Sequence, residues 1–156
     1  MNIGGVQCDI MPYYVGCEAE LDEMWSFVRT KGNQRWLWLA IDHETRVILA
    51  YAFGPRADKV FMVLKRLLEP FQITNFYTDD WGGYERCLPP EKHTISKKNT
   101  QAIERKNLTL RTRVKRLCRK TICYSKSEKM HDIVIGLVIN LLEFRLRFSS
   151  SYIFRT

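Results

Sequence analysis

The sequence predicts an α/β protein in which a mixed five-stranded sheet carries helices on both faces. Three observations predict this fold class: three consecutive strand-like segments joined by turns, a helix that leads to a fourth strand, and a short fifth strand before two further helices. The length of 156 residues and the hydrophobic content of 46% suit one domain with a sizeable core. We expect an irregular lead-in over residues 1–17, the domain over 18–148 and a disordered tail over 149–156.

The first three strands are predicted to form an antiparallel meander. Glu18–Arg29 and Arg35–Ile41 are rich in aromatic and aliphatic residues, and Lys31–Asn33 supplies a turn between them. A second turn at Asp42–Thr45 leads to the third strand, Arg46–Phe53. Consecutive strands joined by short turns pair antiparallel.

The second half of the chain alternates helices and strands. Apolar residues recur at helical spacing from Asp58 to about Leu68, and Ile73–Thr78 follows as a strand reached by a crossover, which favours parallel pairing. The remaining predicted elements are a short helix at Trp81–Arg86, a strand at His93–Ser96, a helix over Gln101–Arg119 and a last helix capped by Ser125 or Ser127. This is the element order of the ribonuclease-H-like fold.

Basic residues are concentrated in one part of the chain. The formal net charge is +8, and residues 92–120 hold eleven of the 25 Lys and Arg residues but one acid, Glu104. Such a local excess indicates a polyanion partner, most simply nucleic acid, with a solvated basic helix face as the alternative. The five cysteines form no metal-binding spacing, and no signal peptide or membrane-spanning run is evident, so we expect a cytoplasmic, nucleoid-associated protein without membrane contact.

Three acidic residues in different settings are candidate ligands for a divalent cation. Asp22 lies on the first predicted strand, Asp79 ends the fourth strand, and Glu104 opens the basic helix. Carboxylate oxygens favour Mg²⁺ or Mn²⁺ over zinc, and such ions activate a hydroxyl and stabilise the leaving oxygen in phosphodiester chemistry. Residue chemistry leaves two rivals open, because Glu20 shares a strand face with Asp22 and Asp80 adjoins Asp79.

Each carboxylate also has a structural interpretation. Asp79 or Asp80 would cap the helix that starts near Trp81, and Glu104 would pair with a neighbouring lysine along the helix. Trp81 is either a core residue or a DNA contact. The spacing alone does not choose between these roles.

The helix that begins near Glu104 is predicted to carry a basic track. Asn107, Leu108, Arg111 and Lys115 follow Glu104 on roughly one helical face. Arg111 is the predicted phosphate contact near the metal site and Lys115 extends the track, with an exposed basic stripe as the alternative. The predicted DNA-binding residues are Lys97, Lys98, Arg105, Lys106, Asn107, Arg111 and Lys115.

Four segments, in order along residues 17–145, carry a resemblance to a known family. They are Leu21-Asp22-Glu23-x-Trp25, Thr78-Asp79-x-Trp81-x-x-Tyr84, Ile103-Glu104-Arg105-x-Asn107-Leu108-x-Leu110-Arg111 and Ser125-Lys126-Ser127-x-x-x-His131-Asp132-x-Val134-Ile135-Gly136. Together they resemble the catalytic part of the insertion-sequence-one family of DDE transposases.

The resemblance implies a ribonuclease-H-like domain that cuts and joins double-stranded DNA at transposon ends. It implies that Asp22, Asp79 and Glu104 form a triad that binds two Mg²⁺ or Mn²⁺ ions, with Asp22 preferred to Glu20 and Asp79 to Asp80. It also implies a homo-oligomer, at least a dimer, and a zinc-finger-like and helix-turn-helix region from an upstream reading frame, as a fusion or a separate protein. The alternatives are a nuclease of the same fold without strand transfer and an inert DNA-binding remnant.

Overall fold

A computed structural model describes residues 4–7 and 15–151 of the chain, with side chains described for residues 15–143. The strands are β1 Gly4–Gln7, β2 Glu18–Val28, β3 Thr30–Asp42, β4 Ile48–Gly54, β5 Asn75–Thr78 and β6 His93–Ile95. The helices are α1 Asp58–Leu68, α2 Gly82–Cys87, α3 Gln101–Arg113 and α4 Glu128–Ser151.

The strands form one mixed sheet in the order β1-β4-β3-β2-β5-β6. The pairs β2–β3 and β3–β4 are antiparallel, whereas β5 pairs parallel with β2 and β6 parallel with β5. The five predicted strands, the meander and the parallel crossover are therefore confirmed, and the fold is ribonuclease-H-like.

A sixth strand corrects the expectation of an irregular lead-in over residues 1–17. Gly4–Gln7 pairs antiparallel with β4 and extends the sheet by one strand. This pairing satisfies backbone groups that would otherwise be exposed along the edge of β4. No apolar periodicity marks these four residues, because their strand is defined by backbone hydrogen bonds to a distant segment.

Helices cover both faces of the sheet, as predicted. On one face, α1 and α2 bury residues such as Phe61 and Tyr84 against Trp38. On the other face, α3 and α4 bury residues such as Ile103 and Ile139 against the sheet. Across the described residues we find no helix with the length and apolar character that a membrane crossing requires.

The first hairpin turns earlier than predicted. Arg29 has a left-handed φ of 65°, and Thr30 already pairs with Val28, so Lys31–Asn33 lies within β3. The register shifts between Phe27 and Val28, which absorbs the extra residues as an irregularity of the ladder.

Helix α3 ends at Arg113, six residues before the predicted end at Arg119. Val114 takes an extended conformation (φ −114°, ψ 98°), and both Val114 and Leu117 are buried. The chain leaves the helix because these two side chains enter the core. Lys115 consequently lies in a separate 3-10 turn, and the predicted helical track from Glu104 to Lys115 is wrong at its far end.

Of the two predicted caps of the last helix, Ser127 is the one at its start, and the helix extends into the predicted tail. Ser127 accepts a hydrogen bond from Met130 N at 3.4 Å and precedes the helix, whereas Ser125 is buried in another network. Helix α4 continues to Ser151, so residues 149–151 are helical. The predicted tail residues 152–156 lie outside the described residues, and the domain bounds 18–148 stay a prediction.

Candidate active site

Asp22 lies on β2, and Asp79 directly follows β5, the parallel neighbour of β2. The register pairs Glu18 with Asn75 and Glu20 with Tyr77, so two further residues along each strand bring Asp22 level with Asp79. Adjacent strands are about 4.8 Å apart. The two carboxylates therefore belong to one site, at the carboxyl end of β5.

Asp22 is held in a partly buried position by two hydrogen bonds. Its Oδ1 accepts from Glu23 N at 2.9 Å, and its Oδ2 accepts from Asn107 Nδ2 at 2.7 Å. Burial, followed by the negative charges of Glu23 and Asp79, raises the pKa of Asp22 to about 7. The site therefore concentrates negative charge around Asp22.

Asp79 forms a local turn before α2. Its Oδ1 accepts from Trp81 N at 3.1 Å, but Trp81 is the residue that precedes α2, and the helix has no side-chain cap. Asp79 is half-buried, whereas Asp80 is exposed. The geometry thus sets Asp79, rather than Asp80, beside Asp22.

Glu20, the rival of Asp22, is fully engaged elsewhere. Its Oε1 contacts His43 Nδ1 at 2.7 Å and Arg46 Nη1 at 2.5 Å, and its Oε2 accepts from Ile103 N at 2.9 Å. The residue is buried. These contacts neutralise Glu20 and attach the start of α3 to the sheet, which leaves Asp22 as the strand carboxylate that faces the site.

Glu104 does not join the other two carboxylates in this conformation. It lies one helical turn before Asn107, and its side chain is exposed. Within residues 15–143, no group of three or more His, Cys, Asp or Glu side chains lies close enough together to hold a metal ion. The structure therefore brings together two members of the predicted triad and places the third on the helix that packs beside them.

Two buried polar atoms near Asp22 have no hydrogen-bond partner among the described residues. They are Asn107 Oδ1 and Arg111 Nε. Asn107 donates a hydrogen bond to Asp22 through its amide nitrogen. Burial first, and then the charge of Arg119, lower the pKa of Arg111, whereas the negative charge of Asp22 raises it. An unpartnered acceptor and an unpartnered donor are costly when buried, and they suit a site that binds a cation and an anion together.

The donor set at this site fits a hard cation. The carboxylates of Asp22 and Asp79 and the free carbonyl oxygen of Asn107 offer oxygen ligands only, as Mg²⁺ and Mn²⁺ prefer. The residues present therefore fit the metal that the resemblance implies.

The other predicted DNA-binding residues are distributed over several positions. Lys97, Lys98 and Arg105 are exposed before and on α3, and Lys115 is exposed beyond its end. Lys106 is bonded to Glu143 Oε1 at 2.7 Å. The seven residues therefore do not form one track.

A partly buried network beside the two aspartates was not predicted. Glu23 Oε1 accepts from Arg56 Nε at 2.8 Å and Nη2 at 2.5 Å, and Glu23 Oε2 accepts from Tyr84 OH at 2.6 Å. The Arg56 guanidinium lies 5.0 Å from the ring centroid of Trp36 and 5.3 Å from that of Trp81. The alternation of residues along the strands does not predict these contacts. Three of the contacting residues, Glu23, Trp81 and Tyr84, nevertheless lie in the segments that carry the resemblance. Trp81 is half-buried in this network, which favours its interpretation as a core residue.

Comparison with known proteins places the chain in a family. The sequence model of IS1 transposase matches residues 15–145. The chain is 55% identical over 121 residues to the insertion element iso-IS1n protein InsB of Shigella dysenteriae, an alignment that covers 78% of this chain and 92% of that protein. It is 42% identical over 127 residues to the insertion element IS1 protein InsB of Shigella sonnei, covering 81% of this chain and 97% of the relative. A match over most of the chain, together with the ribonuclease-H-like sheet and the paired aspartates, shows that the protein belongs to the IS1 transposase family.

Proposed function

We propose that the chain is a DDE transposase subunit that cleaves DNA at the ends of an insertion element and joins the freed strand to target DNA. The observation that carries the proposal is the proximity of Asp22 and Asp79 to two buried atoms, Asn107 Oδ1 and Arg111 Nε, that have no hydrogen-bond partner within the part of the chain that the structure describes. The same place thus offers oxygen ligands for a cation and a donor for a phosphate oxygen.

Divalent metal ions complete this site in the proposal. Asp22, Asp79 and Glu104 would hold two Mg²⁺ or Mn²⁺ ions, which supply activation of a hydroxyl nucleophile and stabilisation of the leaving oxygen. Glu104 is exposed on α3, three residues before Asn107, so its side chain has room to turn towards the aspartates.

The protein groups around the site position the reacting DNA. Asn107 orients the Asp22 carboxylate through its 2.7 Å hydrogen bond, and Arg111 donates to a phosphate oxygen through its free Nε. Water attacks the phosphodiester at the element end and leaves a 3′-hydroxyl. That hydroxyl then attacks a phosphodiester of the target, so one phosphoester bond forms for each one broken and no covalent protein–DNA intermediate is needed.

Partners beyond the DNA are part of the same proposal. Two element ends must be held together during joining, which favours a homo-oligomer of at least two copies. A DNA-binding region from an upstream reading frame, fused or separate, would supply recognition of the ends.

Joining assays with matched variants test the proposal. The protein is incubated with Mg²⁺ or Mn²⁺, DNA carrying element ends, and target DNA. Asp79→Asn and Glu104→Gln should each lower cleavage and joining by more than about 100-fold, which is the upper range for loss of a residue that only supports a ligand. Asp80→Asn is the control, because Asp80 is the exposed neighbour of Asp79.

The possible outcomes separate the alternatives. Cleavage without joined products would favour a nuclease of the same fold. Salt-sensitive DNA binding with no cleavage by the parent protein would leave a DNA-binding remnant. Equal losses in Asp80→Asn and Asp79→Asn would contradict the assignment of the triad.

A further inference from the structure

A basic cavity lies on the flank of α3 that faces away from the paired aspartates. Its volume is about 550 Å³, and its polar lining includes Arg46, Lys98, Gln101, Arg105 and Thr109. A second cavity of about 300 Å³ adjoins it, and both are lined by Lys106 and Thr109. The two cavities follow α3 towards Arg113.

Helical spacing explains why this flank is separate from the candidate active site. Arg105 and Thr109, four residues apart, share one side of α3, whereas Asn107 and Arg111 share another. Asn107 donates to Asp22 and Arg111 feels the charge of Asp22, but neither residue lines the two cavities. The cavity and the aspartates therefore lie on different sides of α3, although Glu20 on the cavity floor is two residues from Asp22 along β2.

The charge of the larger cavity favours an anionic ligand. Four Lys and Arg residues line it against one acid, Glu20, which lies at its buried floor. Glu20 is already satisfied by His43, Arg46 and the backbone of Ile103. The acid therefore does not repel a ligand strongly.

The cations of the cavity differ in their availability. Lys106 forms an ion pair with Glu143. Arg46 pairs with Glu20 through Nη1, and its side chain is 48% exposed. Lys98 and Arg105 are exposed at the cavity wall. Gln101 and Thr109 add neutral groups that hydrogen-bond to phosphate oxygens, a common mode of backbone recognition.

We propose that this cavity binds the phosphodiester backbone of a second DNA segment, distinct from the strand that reacts at Asp22 and Asp79. Its length supports the assignment, because the 13 residues of α3 extend about 20 Å, the span of about six phosphates along one strand of a duplex. The inference rests on the proposed function, since strand transfer requires two DNA segments at one catalytic domain. The cavity would hold the segment that is not being cut.

Binding stoichiometry tests the inference without any need for catalysis. Duplexes of about ten base pairs, one helical turn, present a short length of backbone, so occupation of both flanks of α3 should recruit two of them. Native mass spectrometry at low salt, without divalent metal, counts duplexes per chain for the parent and for the double variant Lys98→Ala/Arg105→Ala. The expected counts are two for the parent and one for the variant.

Two further measurements make the test specific. The double variant Arg66→Ala/Lys129→Ala removes the same charge from exposed positions on α1 and α4 and should retain two duplexes per chain. In a titration against salt, loss of two phosphate contacts should reduce the slope of log K against log[salt] by about 1.8. Thermal unfolding should be unchanged in both double variants, because all four side chains are exposed.

One duplex per chain in the parent, or two in Lys98→Ala/Arg105→Ala, would overturn the inference. Equal loss in the control variant would also overturn it, because the effect would then reflect net charge. Failure of the proposed function has a different signature: the parent would cleave no element ends, whatever its binding stoichiometry.

Discussion

His131 is buried between two serine hydroxyls in a network that has no place for a second proton. Its Nδ1 lies 2.6 Å from Ser125 Oγ and its Nε2 lies 2.9 Å from Ser26 Oγ. Ser26 Oγ donates to Arg35 O at 3.3 Å, so it accepts from Nε2–H, and Nδ1 accepts from Ser125. Arg116 Nη1 donates to Ser125 Oγ at 3.0 Å, which completes the chain of hydrogen bonds. Protonation of Nδ1 would break this chain.

The burial of His131 predicts a loss of stability in mild acid. Burial first, and then the charges of Arg35 and Arg116, lower the pKa of His131 from 6.5 to about 4. The unfolded chain takes up the proton below pH 6.5, whereas the folded chain resists it until about pH 4. The stabilisation is therefore complete above pH 6.5 and is lost as the pH falls towards 4. From pH 7 to pH 5 the free energy of unfolding should fall by about 2 kcal/mol through this residue.

Urea unfolding at a series of pH values measures this effect against His131→Gln. The variant lacks the titrating group, so its stability should depend less on pH by about 2 kcal/mol between pH 7 and pH 5, although its stability at pH 7 is lower. Parallel pH profiles for the parent and the variant would refute the reasoning. They would mean that His131 is protonated in the folded state or that the network opens before it titrates.

Two further predictions concern packing. Gly83→Ala should destabilise the fold by about 1–3 kcal/mol in urea unfolding, because a Cβ there would meet the Trp81 ring at 2.0 Å, whereas Gly82→Ala on the same helix should change stability by less than about 0.5 kcal/mol. Similar values for the two glycine variants would contradict the close approach. Ile139→Ala should cost about 2–5 kcal/mol, because Ile139 is 0% exposed, while Leu137→Ala, at 57% exposure on the same helix, should cost less than about 1 kcal/mol. If Leu137→Ala cost more than Ile139→Ala, α4 would pack against the sheet through a different helix face.

The sequence predicted much of the fold because local patterns are sufficient for it. Alternation along β2 put Glu20 and Asp22 on the same strand face, and helical periodicity placed α1 correctly from Asp58 to Leu68. The patterns failed where a distant contact decides the outcome. Gly4–Gln7 is a strand because β4 offers it an edge, and α3 stops at Arg113 because Val114 and Leu117 are drawn into the core.

The candidate site was predictable in its residue types but not in its arrangement. Strand alternation does not distinguish Asp22 from Glu20; the resemblance preferred Asp22, and the structure shows the physical difference, because Glu20 is neutralised by Arg46 and His43 while Asp22 lies near Asp79. Glu104 was predicted as an equal partner, yet the structure keeps it exposed beside the site. Its participation stays a prediction.

By itself, the sequence determined the element order, the concentration of positive charge in residues 92–120, and the segments that identify the family. These are properties of residues close together along the chain, where periodicity and composition act. The tertiary structure alone gave each acid its partners, so that Glu20 is engaged by Arg46 and His43 while Asp22 lies near Asp79, and it distributed the basic residues of α3 over different sides of the helix. The physical reason is that strand register and helix rotation are set by packing across the whole domain, and a carboxylate or a lysine acquires its role from the groups which that packing brings against it.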